Sequence, residues 1–154
     1  MKVALYGRGI KYPNFKAFYS RLIWVLDTHE VAFELVESYG IFLKEKYGIT
    51  HTICNHDQLR LKNFDCLISL GGDGTALDTL SLVRDSGLPV MSINLGRLGF
   101  LANITMDEIE AAVQALKNGQ TTLEKRTIIH VESDIDEINA FPYALNDFVI
   151  QKRD

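Results

Sequence analysis

The chain has 154 residues, with 20 Asp and Glu against 16 Lys and Arg for a net charge of −4, 47% hydrophobic residues and 23% charged. This composition bounds it to one domain, or one domain and part of another, with enough apolar residues for a packed core rather than disorder. A net acidic chain with no dominant basic patch is a poor nucleic-acid binder. No apolar run approaches the ~20 residues that cross a bilayer, and the segment Met1 to Tyr6 is broken by Gly7 too soon to act as a signal peptide. Cys54 and Cys66 form no disulfide framework. A reducing cytoplasm and no membrane partner are therefore expected.

Lys2 to Tyr6 reads as a buried strand ended by Gly7 and Gly9. Asn14 is placed to cap a helix with Phe15, Phe18, Tyr19, Leu22, Ile23 and Leu26 on one face. The alternation of Val31, Phe33 and Leu35 predicts a short strand, and a helix through Tyr39 to Lys46 ends at Gly48. Thr50 to Cys54 reads as another strand. Cys66 to Leu70 is continuously apolar, as a strand buried on both faces should be. Ala76 to Arg84 reads as a helix, and Pro89 introduces a strand from Val90 to Ile93. Thr105 and Glu108 have capping-box spacing. They open a helix with Ile109, Ala112, Val113 and Leu116 on one face and Gly119 beyond its end.

This alternation predicts an α/β domain over residues 1–120: a Rossmann-like, open, mostly parallel sheet with helices on both faces. After Gly119 the pattern changes. Thr122 to Glu132 and Tyr143 to Lys152 are rich in β-branched and aromatic residues and read as two antiparallel strands. Two strands alone are marginal in water. Residues 121–154 are therefore expected to be the opening strands of an all-β domain that the chain does not complete.

The richest segment is Gly71-Gly72-Asp73-Gly74-Thr75, between the strand ending at Leu70 and the helix after it. Strand, glycine turn and helix bring backbone N–H groups against a phosphate. A carboxylate at the centre of such a turn suggests a further task, either holding a metal or taking a proton from an attacking hydroxyl. The second segment is Asn94-Leu95-Gly96-Arg97-Leu98-Gly99-Phe100-Leu101. Both segments leave the carboxyl ends of strands, where open α/β sheets bind ligands. Gly96 and Gly99 would let the backbone approach a ligand, and Phe100 and Leu101 would anchor the loop in the core. Arg97 is either a phosphate partner or a solvated arginine. The third segment, Ala144 to Ile150, sets Asn146 and Asp147 in an apolar run. Their donors and acceptors suit a nucleoside, and a strand-edge turn is the alternative.

Other chemistries are not supported. There is no G-x-x-x-x-G-K-[ST] and no kinase-type catalytic loop. Gly7-Arg8-Gly9-Ile10-Lys11-Tyr12 lacks the third glycine of a dinucleotide fingerprint and reads as a turn. His51, Cys54 and His56 do not converge at strand spacing, so no zinc site is expected; His29 and His130 stand alone. No G-x-S-x-G nucleophile elbow is present.

Together, Gly71-Gly72-Asp73-Gly74-Thr75, the Asn94 to Leu101 segment and Leu145-Asn146-Asp147 resemble the NAD kinase family. The glycine–aspartate turn also resembles that of diacylglycerol and sphingosine kinases and of phosphofructokinases; the second segment, similar to the family's N-x-G-x-L-G-F-L signature, discriminates. The resemblance implies transfer of the terminal phosphoryl group of ATP to the 2′-hydroxyl of the adenosine ribose of NAD, with a divalent metal, usually Mg²⁺. It implies that Asp73 is the base for that hydroxyl or the group that positions it. Gly71, Gly72, Gly74, Thr75 and Arg97 would line phosphates, and Asp73, Gly74, Asn146 and Asp147 would bind NAD. Asn94, Gly96, Gly99 and Phe100 would shape the loop. The family pair is most often Asn-Glu, so Asp147 departs from it by one methylene. Full-length members carry a β-sandwich domain that helps bind NAD and builds a homo-oligomer, so a chain without it is expected to be inactive alone. The alternatives are a lipid kinase of the diacylglycerol or sphingosine type and a non-catalytic nucleotide-binding module.

Overall fold

The computed structural model describes residues 1–9, 12, 14–61, 63–96 and 99–151. The chain divides into two compact units, Met1–Thr121 and Thr122–Asp154.

The first unit alternates strands and helices: β1 (Lys2–Gly7), α1 (Phe15–Thr28), β2 (Ala32–Val36), α2 (Glu37–Tyr47), β3 (Ile53–Cys54), α3 (His56–Arg60), β4 (Cys66–Leu70), α4 (Asp73–Val83), β5 (Val90–Ile93) and α5 (Ile109–Lys117). The five strands form one parallel sheet in the order β3-β2-β1-β4-β5. Alternate side chains of the strands enter two separate cores, which is why β1 and β4 read as unbroken apolar runs. Val3, Leu5, Cys66, Ile68 and Leu70 join Leu22 and Leu26 of α1, Tyr39 and Leu43 of α2, and Ile109 and Val113 of α5. Ala4, Val36, Cys54 and Leu67 join Leu59 of α3 and Leu82 and Val83 of α4. The mostly parallel α/β sheet with helices on both faces is thus the observed fold.

Several boundaries differ from those expected. Asn14 occupies the position before α1, but its backbone is left-handed, with φ 61°, and its side chain makes no capping bond. β3 is two residues rather than five, and the short helix α3 follows it directly. Its signal was present: Asn55 and Gln58 form a capping box, the Gln58 N–H donating to Asn55 Oδ1 at 2.9 Å and the Asn55 N–H to Gln58 Oε1 at 2.8 Å. The capping box expected at Thr105 and Glu108 is present as well. The Glu108 carboxylate accepts from the Thr105 N–H at 2.8 Å and from its hydroxyl at 2.7 Å, across a 3₁₀ turn, Met106–Glu108, that leads into the helix. The helix expected from Ala76 begins three residues earlier, at Asp73, so the glycine–aspartate turn is itself the first turn of α4.

The second unit holds β6 (Ile128–His130), α6 (Asp136–Asn139) and β7 (Tyr143–Leu145). β6 and β7 pair antiparallel through Ile128↔Leu145, Ile129↔Ala144 and His130↔Tyr143. The long strands expected over Thr122 to Glu132 and Tyr143 to Lys152 therefore shrink to three residues each; Lys152 lies outside the described residues. β propensity alone does not extend a ladder. Among the described residues no third strand pairs with these two, and Ile128 and Tyr143 remain exposed.

Candidate functional site

The sheet order fixes where a ligand belongs. β1, β2 and β3 run in sequence toward one edge, and the chain then returns to place β4 on the other side of β1. The crevice of an open α/β sheet lies at such a reversal, beyond the carboxyl ends of the two strands. Gly7-Arg8-Gly9 leaves β1 there, and Gly71-Gly72-Asp73-Gly74 leaves β4. β5, beside β4, delivers the loop that begins at Asn94.

Asp73 joins the second and third of these loops. Its Oδ1 accepts from the N–H groups of Leu101 at 2.9 Å and Ala102 at 3.0 Å, and its Oδ2 from that of Phe100 at 2.8 Å. The N–H groups of Ala102, Leu101 and Phe100, in that order of effect, hold the carboxyl below its ordinary value of 3.8. Gly99 closes this grip. A Cβ there would stand 2.6 Å from Asp73 Oδ2 and nearer still to the rest of the carboxylate, so only glycine lets the loop wrap the acid. Asn94, 4% exposed, braces the base of the loop. Its Nδ2 donates to the Ala102 carbonyl at 2.9 Å, and its Oδ1 accepts from the Gly96 N–H at 2.7 Å. The Gly71 N–H donates to the Ile93 carbonyl at 3.0 Å. Two motifs separated by about twenty residues of sequence are therefore one hydrogen-bonded unit.

Other expected residues are placed differently. Phe100 does not anchor the loop in the core: it is 94% exposed, and the buried residue is Ala102. Three backbone bonds to Asp73 hold the loop, so it needs no aromatic plug. Thr75 is 2% exposed, with its side chain packed beneath Gly71, where a Cβ would come within 2.7 Å of Thr75 Cβ. Thr75 thus packs against the turn with its hydroxyl oxygen toward Gly71. Gly72 caps α4 in an extended conformation with no side-chain bond, and Gly74 lies in the first turn. Arg97 lies outside the described residues. Asn146 and Asp147 belong to the second unit. They end β7 instead of interrupting a longer strand: Asn146 has φ 74°, and the Asp147 N–H donates to the Leu145 carbonyl at 3.1 Å.

Arg8 is the residue that the sequence reading passed over. Its guanidinium forms a two-point ion pair with Asp78 of α4, through Nε to Oδ2 and through Nη2 to Oδ1 at 2.5 Å. Tyr6 donates to Asp78 Oδ2 at 3.1 Å. The incomplete glycine fingerprint read as a turn, and the salt-bridge partner lies 70 residues away, so only topology reveals it.

The divalent metal that the resemblance implies can be tested against these groups. Among the described residues no three His, Cys, Asp or Glu side chains gather to hold an ion, and both oxygens of Asp73 are engaged by N–H donors. This donor set does not fit a protein-held cation.

Comparison with known proteins supplies the family. Residues 27–121 match the family model described as the ATP-NAD kinase N-terminal domain. An NAD kinase of Flavobacterium psychrophilum is 35% identical, covering all of this chain and 53% of that protein. The chain spans about half the length of the curated relatives it matches. A yeast NADH kinase, in a crystal structure with NADH, shares the fold with a TM-score of 0.66 at 20% identity, covering 83% of this chain and 41% of that one. An NAD kinase from Archaeoglobus fulgidus, in complex with ATP, does so with a TM-score of 0.57 at 22% identity, covering 84% and 42%. With the family model matching most of the chain and a relative 35% identical over all of it, this chain belongs to the NAD kinase family.

Proposed function

We propose that this chain carries the acceptor-activating turn of an enzyme that phosphorylates the 2′-hydroxyl of the adenosine ribose of NAD, using ATP and yielding NADP. The observation that carries the reading is the Asp73 carboxylate, fixed at the first turn of α4 by three N–H groups of the loop that follows β5. In the reaction the 2′-oxygen bonds to the γ-phosphorus, the bond from that phosphorus to the β–γ bridging oxygen breaks, and ADP leaves. The hydroxyl proton passes to a carboxylate or to solvent. Such transfers require mainly positioning and charge neutralisation.

Asp73 suits positioning better than strong base catalysis, because its three N–H donors lower its basicity. An ionised carboxylate of this kind still has lone-pair capacity to accept a hydrogen bond from the ribose hydroxyl. Gly72 and Gly74, at the start of α4, would offer backbone N–H groups to phosphate oxygens. Asn146 and Asp147 are assigned to the adenosine, and Arg97 to phosphate. The divalent ion, usually Mg²⁺, would come with the triphosphate, as such ions commonly do. A homo-oligomer in the cytoplasm completes the proposal.

The test is NADP formation from NAD and ATP, run in parallel on the 154-residue chain and on a longer protein that contains it, with diacylglycerol as a competing acceptor. NADP from the longer protein, with no phosphorylated lipid, supports the reading. Lipid phosphorylation in place of NADP refutes it.

A further inference from the structure

We propose that Arg8 grips the phosphate chain of the nucleotide bound at the glycine turn, with Asp78 and Tyr6 as its positioning residues. The inference rests on the nucleotide reading above and adds a residue that no part of that reading assigns. Three observations converge on it. First, Arg8 leaves the carboxyl end of β1, next to β4, so it stands at the reversal of strand order where the crevice opens. Second, Asp78 engages Nε and Nη2, which turns Nη1 and its two N–H groups toward Gly74 in the first turn of α4. A Cβ on Gly74 would stand 2.8 Å from Nη1, so the guanidinium lies directly against the turn, in the space a side chain there would take. Third, the Arg8 side chain is 45% exposed, so the edge is reachable from solvent.

The electrostatics give this arrangement a ligand. The amino end of α4 carries the positive pole of the helix, a place where anions are stabilised and cations are not. Arg8 nevertheless lies against that turn, held by an acid one and a half turns further along the helix. Asp78 balances the guanidinium's charge, so what Nη1 offers a phosphate is a pair of directed N–H donors beside those of the turn, and a guanidinium fork meets phosphate oxygens with more directional bonds than an ammonium. Tyr6 remains a donor at any physiological pH, since burial and the adjacent Asp78 push its hydroxyl up to about 12. It therefore donates to Asp78 Oδ2 alongside Arg8 Nε and keeps that carboxylate oriented.

The phosphates could be those of the ATP donor or the pyrophosphate of NAD, and calorimetric titration separates them. Wild type, Arg8→Ala, Arg8→Lys and Asp78→Asn, each in the longest available protein containing this chain, are titrated with adenosine, AMP, ATP and NAD. Arg8→Ala should weaken ATP, NAD or both by about 10- to 100-fold, the worth of charge-assisted bonds, and leave adenosine within twofold. Arg8→Lys and Asp78→Asn should fall between wild type and Arg8→Ala, which guards against a loss caused by misfolding. Loss with ATP but not NAD assigns the donor triphosphate, and the reverse assigns the pyrophosphate. Equal affinities for ATP and NAD in wild type and Arg8→Ala overturn the inference while leaving the nucleotide reading intact. A proportionate loss for adenosine also overturns it, since that marks a structural role. Wild type that binds neither ATP nor NAD overturns the nucleotide reading and this inference together.

Discussion

Replacing Asp73 by asparagine or by alanine should release different parts of the loop, and the structure says which. Oδ1 serves two donors, Leu101 and Ala102, while Oδ2 serves Phe100 alone. In Asp73→Asn the amide oxygen can stay at the Oδ1 position and keep two bonds, now uncharged. The amide nitrogen then faces the Phe100 N–H, donor against donor, and that bond is lost. In Asp73→Ala all three are lost. A hydrogen bond to a charged group holds a backbone N–H closed by a factor on the order of 10 to 100. Amide hydrogen exchange, read by two-dimensional NMR, should therefore accelerate by about that factor at Phe100 in the Asn variant, with much smaller changes at Leu101 and Ala102. In the Ala variant all three amides should accelerate. Unchanged exchange in Asp73→Ala, or equal acceleration of the three amides in Asp73→Asn, would refute the two-oxygen division of labour.

Gly71→Ala should lower stability by about 1–3 kcal/mol in urea unfolding, the usual cost of overpacking, because its Cβ meets the buried Thr75 side chain. Both cysteine thiols should resist a thiol reagent until the protein unfolds, since burial pushes Cys54 up to about 11 and Cys66 up to about 12. The amide chemical shifts of residues 100–102 should hold steady from neutral pH down past 3.8 and move only in stronger acid. The folded-state carboxyl of Asp73 lies below that ordinary value, so its contribution is present above 3.8 and is lost as pH falls through the lower folded value.

Much of this architecture was legible from residue patterns. β4 could be read because a strand covered on both faces needs five consecutive buried residues, and Cys66 to Leu70 supplies them. α5 could be read from Ile109 and Val113 on one face. The candidate site was partly legible: the glycine–aspartate turn and the Asn94 loop stood out as motifs. Their interlock did not, because a carboxylate bound to backbone N–H groups leaves no trace in side-chain patterns. Phe100 misled for the same reason, since an aromatic in a loop suggests burial when the anchor is the main chain. Arg8 was hidden by distance along the chain; Asp78 becomes its neighbour only when β1 and β4 pair. The β6 and β7 expectation overran because side-chain preference reports what a strand would favour, whereas ladder length depends on partners.

The proposed function rests on the acid at the head of α4. Steady-state NADP formation should be measured for wild type and Asp73→Asn in a protein that contains this chain, alongside NAD affinity by calorimetry. Because this acid positions the hydroxyl, kcat should fall by about 10²-fold, with NAD affinity within a few-fold of wild type. Wild-type turnover in Asp73→Asn would contradict this role.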